Sequence, residues 1–300
     1  MAPEALSLKS VAVLGGLLAS CSPAAMNARD IPPNLQQFYD TVKGTTCKNP
    51  IKGGFKDGQG NSGWSYCGDY KDSGLIYLAG PSVKESLGDM DVDCDGANRT
   101  AGKCSNDPSG QSQTAFKDQV QQYGISDLNA NIHGYVVFGN EGSSPSFEPE
   151  SVGMKPLSIM AVVCNNKLFY GIWGDTNGGT DTGEASISLA TACFPDEDIT
   201  GDSGHTAHDV LYLGFIGQDA VPGKDGADWK ASSFGEFEAS LADIGDSLVA
   251  RVPSGPSAQS KPTAAGSSAT PAGCYGYGET ITSTTTITVT STARRSITKT

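Results

Sequence analysis

The chain is poor in charge, in basic residues, in histidine and in long apolar runs, and each scarcity excludes something. Charged residues are 18% of the 300 positions, too few for long solvated helices or a coiled coil. Lys and Arg number 20 against 33 Asp and Glu, a formal charge of −13. A phosphate backbone would be repelled, so no nucleic-acid partner is expected. The apolar run VAVLGGLLA at 11–19 is too short to span a bilayer, so no membrane span is expected. No two cysteines stand at the C-x-x-C spacing of zinc sites, and G-x-S-x-G, P-loop and H-E-x-x-H patterns are missing. Neither a metal nor a cofactor is expected.

Glycine, by contrast, is abundant at 38 residues, which points to a turn-rich globular chain. Residues 1–28 hold Lys9, the short apolar run and then small residues through Ala28, the layout of a secretory signal peptide. Leu18-Ala19-Ser20-Cys21 also resembles a lipoprotein signal, the less favoured alternative. Eight cysteines are present, and six remain once Cys21 in the leader and Cys274 in the tail are set aside. An even number in a secreted domain predicts three disulfides, in any of 15 connectivities. Residues 253–273 are Pro-, Ser- and Ala-rich and read as a linker, and 274–300 as a disordered Thr-rich tail suited to O-glycosylation. Without the leader's Lys9 and Glu4 and the tail's Lys261, Arg294, Arg295, Lys299 and Glu279, the body from 29 to 252 carries −16. Such a field attracts cations, an amine-bearing polymer among them.

Along the body, Asn34 can cap a helix with Leu35, Phe38, Tyr39 and Val42 on one face, stopped by Gly44. Residues 45–110 read as irregular, rich in Gly, Asp, Asn and Ser. Ser112 or Thr114 starts a second helix bearing Phe116, Val120 and Tyr123. Apolar, β-branched stretches at 132–139, 157–164, 168–174 and 209–217 read as strands, with Asn165-Asn166-Lys167 as a hairpin turn. Ser233 and Glu236 form a capping box before Phe234, Phe237, Leu241, Ile244 and Leu248. The fold class expected is α+β to mainly β, a compact disulfide-containing domain compatible with a closed barrel; βα alternation is missing, which disfavours a TIM barrel.

Two carboxylate patterns can carry chemistry. In YGIWGDTNGGTDTGEASISLA (170–190), Asp175 ends an apolar strand and Glu184 follows a Gly-rich loop. A strand end fixes the first, and the loop can return the second across a cleft, as acetal hydrolysis by an acid and a base requires. The plain alternative is two surface carboxylates. In DMDVDCDGANRTAGKC (89–104), Asp89, Asp91, Asp93 and Asp95 alternate, so in extended backbone they line one side of a strand and need cations to relieve their repulsion. The segment opens like a calcium loop, but Gly102 stands where the bidentate Glu belongs. Asn98-Arg99-Thr100 is a glycosylation sequon and marks an exposed flank. His205, His208 and Asp209 are a weaker candidate for a metal site, and Trp64, Tyr66, Tyr170 and Trp173 are candidates for sugar stacking, with core packing favoured for the last two.

DMDVDCDGAN, CSNDPSGQSQTAF, SDLNANIHGYVVFGNE, PLSIMAVVCNNKLFYGIWGDTNGG and TGEASISLA together resemble the fungal chitosanases of glycoside hydrolase family 75. The resemblance covers roughly residues 30 to 217. It implies a secreted endo-hydrolase of β-1,4-linked glucosamine acting with inversion, and it maps the family's two essential carboxylates onto Asp175 and Glu184; a monomer is expected. Glu184 is carried forward as acid and Asp175 as base. Asp91, Asp93 and Asp95 are expected to pair with the ammonium groups of chitosan. The competing readings are another endo-glycanase, acting on chitin or a β-glucan, and a non-catalytic wall-binding protein.

Overall fold

The computed structural model describes residues 28–254. All of the leader but Ala28, the tail, Cys21, Cys274 and all but the first two residues of the linker lie outside this range. Within it the protein is a mixed α/β, sheet-dominated fold. The strands are β1 (Pro50–Lys56), β2 (Ser62–Cys67), β3 (Leu75–Ala79), β4 (Gly88–Asp93), β5 (Tyr135–Asn140), β6 (Ile159–Cys164), β7 (Lys167–Asn177), β8 (Glu184–Ser186) and β9 (His205–Phe215). The helices are α1 (Pro33–Lys43), α2 (Lys117–Gln121), α3 (Ile187–Cys193), α4 (Phe234–Ser240) and α5 (Ala242–Val249).

The long strand β9 organises the sheet. Leu213 faces Tyr77 of β3 on one edge and Ala161 of β6 on the other, while the N-terminal half of β9 pairs with β4. From there the pairings run β4–β8–β5–β7–β6 and return to β9, so six strands close a ring and β3, β2 and β1 extend from it as an antiparallel flap. Closure removes the free edges that an open sheet would expose. The β4–β8 and β5–β7 pairs are parallel, the others antiparallel. Every residue of β5 and β6 is buried, which explains why their sequences are continuous apolar runs rather than alternating ones. Between β6 and β7, Asn165 and Asn166 take φ of 46° and 56°, the left-handed pair that a tight hairpin turn needs.

The four strands expected between 132 and 217 form, with β9 starting four residues earlier than its apolar run suggested. Three other expectations are corrected. Residues 45–110 are not irregular but supply β1 to β4. In β1 only Phe55 is buried, so the hydrophobic alternation that marks a strand was too sparse to detect there. Asn34 does not cap α1: Pro32 takes that place, and the Asn34 amide instead donates to the carbonyls of Val249 and Val252. The C-terminal helical face is interrupted at Leu241, giving α4 and α5. The Ser233 hydroxyl does accept from the Glu236 amide, but the Glu236 carboxylate takes its own bonds from Ser232. The six body cysteines pair in sequence order, Cys47–Cys67, Cys94–Cys104 and Cys164–Cys193.

Candidate active site

Strand register brings the two candidate carboxylates together. Val137 of β5 faces Asp175 on β7 and Glu184 on β8, so the three residues form one row across adjacent strands. Two inter-strand spacings separate the outer backbones, roughly 9 to 10 Å. All three line a cleft of about 260 Å³ whose wall also includes Asp93, Asp95, Ser109, Gln111, Asn177 and the glycines 178 and 179. Only β5 stands between β7 and β8 in this row, which is how nine positions of sequence fold back onto one site.

Asp175 is 5% exposed. Its Oδ1 accepts the backbone amides of Ala115 and Thr176 at 2.9 and 2.7 Å, while Oδ2 has no partner among the described residues. Burial, reinforced by the charges of Asp95 and Glu184, pushes its carboxyl up to about 8. The strand leaves no room beside it: a methyl group at Gly174 would lie 2.5 Å from Tyr135 Cβ. Among the described residues Glu184 accepts one side-chain bond, from Asn177 Nδ2 at 2.7 Å, and burial pushes it up to about 7.

Asp93 and Asp95 stand at the same cleft, their carboxylate oxygens within 4.8 Å of each other and of Asp175. Burial and the Asp175 charge hold Asp93 well above the usual carboxylate range, and burial raises Asp95 too. Cys94 between them is tied to Cys104, and Asp95 accepts the Gln111 amide, so both carboxylates are held in place. Asp91 departs from the expected row. Paired with Glu184 through β4 and β8, it lies outside the cleft lining, beside Gly58 and Gln59, with its carboxyl raised to about 6 by burial and by Asp57.

The remaining candidates separate. The His205 ring lies between Glu197 and Asp209, whereas His208 turns to Asp57 at 3.1 Å. Asp57, Asp89 and His208 form a second group of donor atoms within 4.8 Å. Trp64, Tyr66, Tyr170 and Trp173 are all at most 1% exposed, so none offers a face to a sugar; core packing decides all four. Among the described residues lining the cleft, none is aromatic. Sequence reasoning missed Asn177, although it sits two residues beyond Asp175 on the same strand and so on the same face. Gln111 and Ser109 come from a loop and carried no signal.

Residues 90–251 match the family described as fungal chitosanase of glycosyl hydrolase group 75. An endo-chitosanase of Aspergillus oryzae is 56% identical over 240 residues, covering 78% of this chain and 97% of that protein. An endo-chitosanase of Aspergillus fumigatus is 57% identical over 225 residues, covering 74% of this chain and 92% of that protein. An endo-chitosanase B of Aspergillus oryzae is 55% identical over 239 residues, covering 79% and 98%. The chain belongs to the group 75 family. In this group 75 domain the matched stretch contains every cleft carboxylate named above, while Asp57 and Asp89 precede it. No helix among the described residues is long and apolar enough to cross a membrane.

Proposed function

We propose that this group 75 protein is a secreted endo-chitosanase that hydrolyses β-1,4 bonds between glucosamine units by an inverting, two-carboxylate mechanism. The observation that carries the reading is the Asp175–Val137–Glu184 row at an acidic cleft. Asp175 and Glu184 stand on the strands that flank β5, and the mechanism calls for their carboxyl groups to lie about 6.5 to 9.5 Å apart, with a water between substrate and base. Lining the cleft with aspartates rather than aromatic rings favours a polyamine over neutral chitin or cellulose. Asp93 and Asp95 receive substrate ammonium groups, with Asp91 serving a neighbouring sugar, and the −16 body draws the polymer in.

In this mechanism Asp175 is the acid, reversing the roles carried forward from the sequence. Three carboxylates within 4.8 Å do not all ionise, and the unpartnered Oδ2 of Asp175 is positioned to hold the shared proton. The Asn177 amide supports the ionised form of Glu184. Asp175 passes its proton to the glycosidic oxygen as the C1–O bond breaks. Glu184 takes a proton from the water whose oxygen bonds to C1 from the opposite face, and the new reducing end has inverted configuration.

The test is hydrolysis of a glucosamine oligomer followed by NMR. The α-anomer should form first and chitin and cellulose should remain intact; a β-product, or cleavage of the neutral polymers, overturns the reading. Asp175→Asn and Glu184→Gln should each lose about 10³-fold or more in kcat. A substrate with an activated aryl leaving group should rescue Asp175→Asn, and azide should rescue Glu184→Gln. The opposite pattern exchanges the roles. Asp93→Asn should raise KM and weaken its salt dependence; unchanged values would remove Asp93 from substrate binding.

A further inference from the structure

A second cluster lies outside the cleft. Asp57 follows β1, Asp89 stands on β4 and His208 on β9, and one donor atom from each falls within a 4.8 Å group. The meeting is produced by an irregular register: Gly88 faces Val210 and Met90 faces His205, so two steps along β4 oppose five along β9. The surplus residues of β9 bulge and carry the His208 ring to Asp57, a re-aiming that bulges commonly perform. Trp64 packs against the ring with centroids 4.9 Å apart and fixes its plane.

Asp57 has three of its acceptor sites filled and one left on Oδ1: its oxygens accept the Asn61 backbone and side-chain amides at 2.7 and 2.8 Å as well as the His208 contact, whose place an ion between the two side chains would take. Asp89 is the opposite. It is 1% exposed, and neither of its carboxylate oxygens has a hydrogen-bond partner among the described residues. A buried carboxylate with four empty lone-pair sites is costly unless something fills them. The backbone has been shaped around it, because a Cβ at Gly183, whose φ is +92°, would lie 2.4 Å from Asp89 Oδ1. Tyr212 donates to the Asp89 carbonyl at 2.8 Å and holds the strand there. With Asp89 buried, the group is too enclosed for a sugar ammonium, which needs a polymer alongside, whereas three donor atoms within 4.8 Å of one another can converge on a single ion.

We propose that Asp57, Asp89 and His208 form a binding site for a divalent transition-metal ion. One imidazole nitrogen with two carboxylates is a donor set for zinc or manganese rather than for calcium or magnesium, which take oxygens alone. The site is distinct from Asp175 and Glu184 and does not depend on the hydrolytic reading. Its role is to tie the β1 end, β4 and the β9 bulge together.

Isothermal titration of the full chain, stripped with chelator, with zinc chloride alone and then manganese chloride alone tests this. One equivalent should bind, and at a hundredfold excess over Kd the unfolding temperature should rise by roughly 5 to 10 °C. Asp89→Asn and His208→Gln should each weaken binding at least about tenfold, with circular dichroism confirming that each variant is folded. His205→Gln, whose ring is committed elsewhere, should bind as the parent does. Less than one-tenth equivalent bound, wild-type affinity in His208→Gln, or loss of binding in His205→Gln overturns the proposal. Having two variants keeps the test decisive if Asp89→Asn does not fold.

Discussion

Replacing Asp95 with Asn removes one negative charge from the three-carboxylate group at the cleft while leaving an oxygen to accept the Gln111 amide. Asp95 and Asp175 present oxygens within 4.8 Å of each other. At an effective dielectric of 20, two unit charges at that distance repel by about 3 kcal/mol, roughly two pKa units. Solvent in the open cleft screens part of this, leaving about one to two units. If Asp175 is the acid, its proton must be present for turnover, so the alkaline limb of the pH–rate profile reports its loss. Asp95→Asn should move that limb of kcat/KM to lower pH by about one to two units, away from the value near 8 that burial and neighbouring charge impose on Asp175. The assay is release of reducing ends from a soluble glucosamine oligomer between pH 4 and 9. Parent and variant are compared on the same oligomer, so the substrate's own amines titrate identically in both. A folded, active variant whose alkaline limb stays within about 0.3 units of the parent would refute the shared-proton reasoning.

Three further outcomes are expected. Asn177→Ala removes the one side-chain donor to Glu184 among the described residues, a charge-assisted bond of about 1.5 to 3 kcal/mol; the acidic limb should rise by about one to two units, and movement of the alkaline limb instead would make Glu184 the acid. Replacing Cys164 and Cys193 with Ala opens a loop of 29 residues and should cost roughly 3 to 4 kcal/mol by denaturant unfolding; a loss under about 1 kcal/mol would mean that the β6–α3 junction is held by packing alone. With chelator present, calorimetry should find the unfolding temperature falling as pH rises from about 5 to 8. Asp91, Glu184, Asp89 and Asp175 hold protons up to about 6, 7, 8 and 8 in the fold, above their unfolded values near 4. The stability they contribute is complete below those unfolded values and is lost as pH climbs through the folded ones. Asp89→Asn should flatten the slope, and a rising temperature over this range would contradict it.

The apolar stretches that became β5, β6, β7 and β9 were legible because burial on both faces demands continuous hydrophobic sequence. The Asn165-Asn166 turn was legible because few side chains tolerate left-handed backbone. The flap strands were not. β1 buries a single residue, and its pairing with β2 is broken by irregular register, so its stability comes from neighbours rather than from its own pattern. The aromatic residues misled for a related reason, since Trp64 and Tyr66 look available in a Gly- and Ser-rich segment but are core residues.

At the site, the sequence by itself determined the parts: an acidic body, six paired cysteines, a carboxylate at a strand end and another beyond a glycine loop, and motifs that resemble one family. Local chemistry and local spacing suffice for those. Only the tertiary structure decided which carboxylates meet. The alternating aspartates of β4 and the residues just after it divide among three environments, Asp93 and Asp95 at the cleft, Asp91 beside Gly58, and Asp89 with Asp57 and His208. That division is set by which strands flank β4 and where β9 bulges, and pairing between distant strands is a property of the closed sheet that no stretch of neighbouring residues encodes.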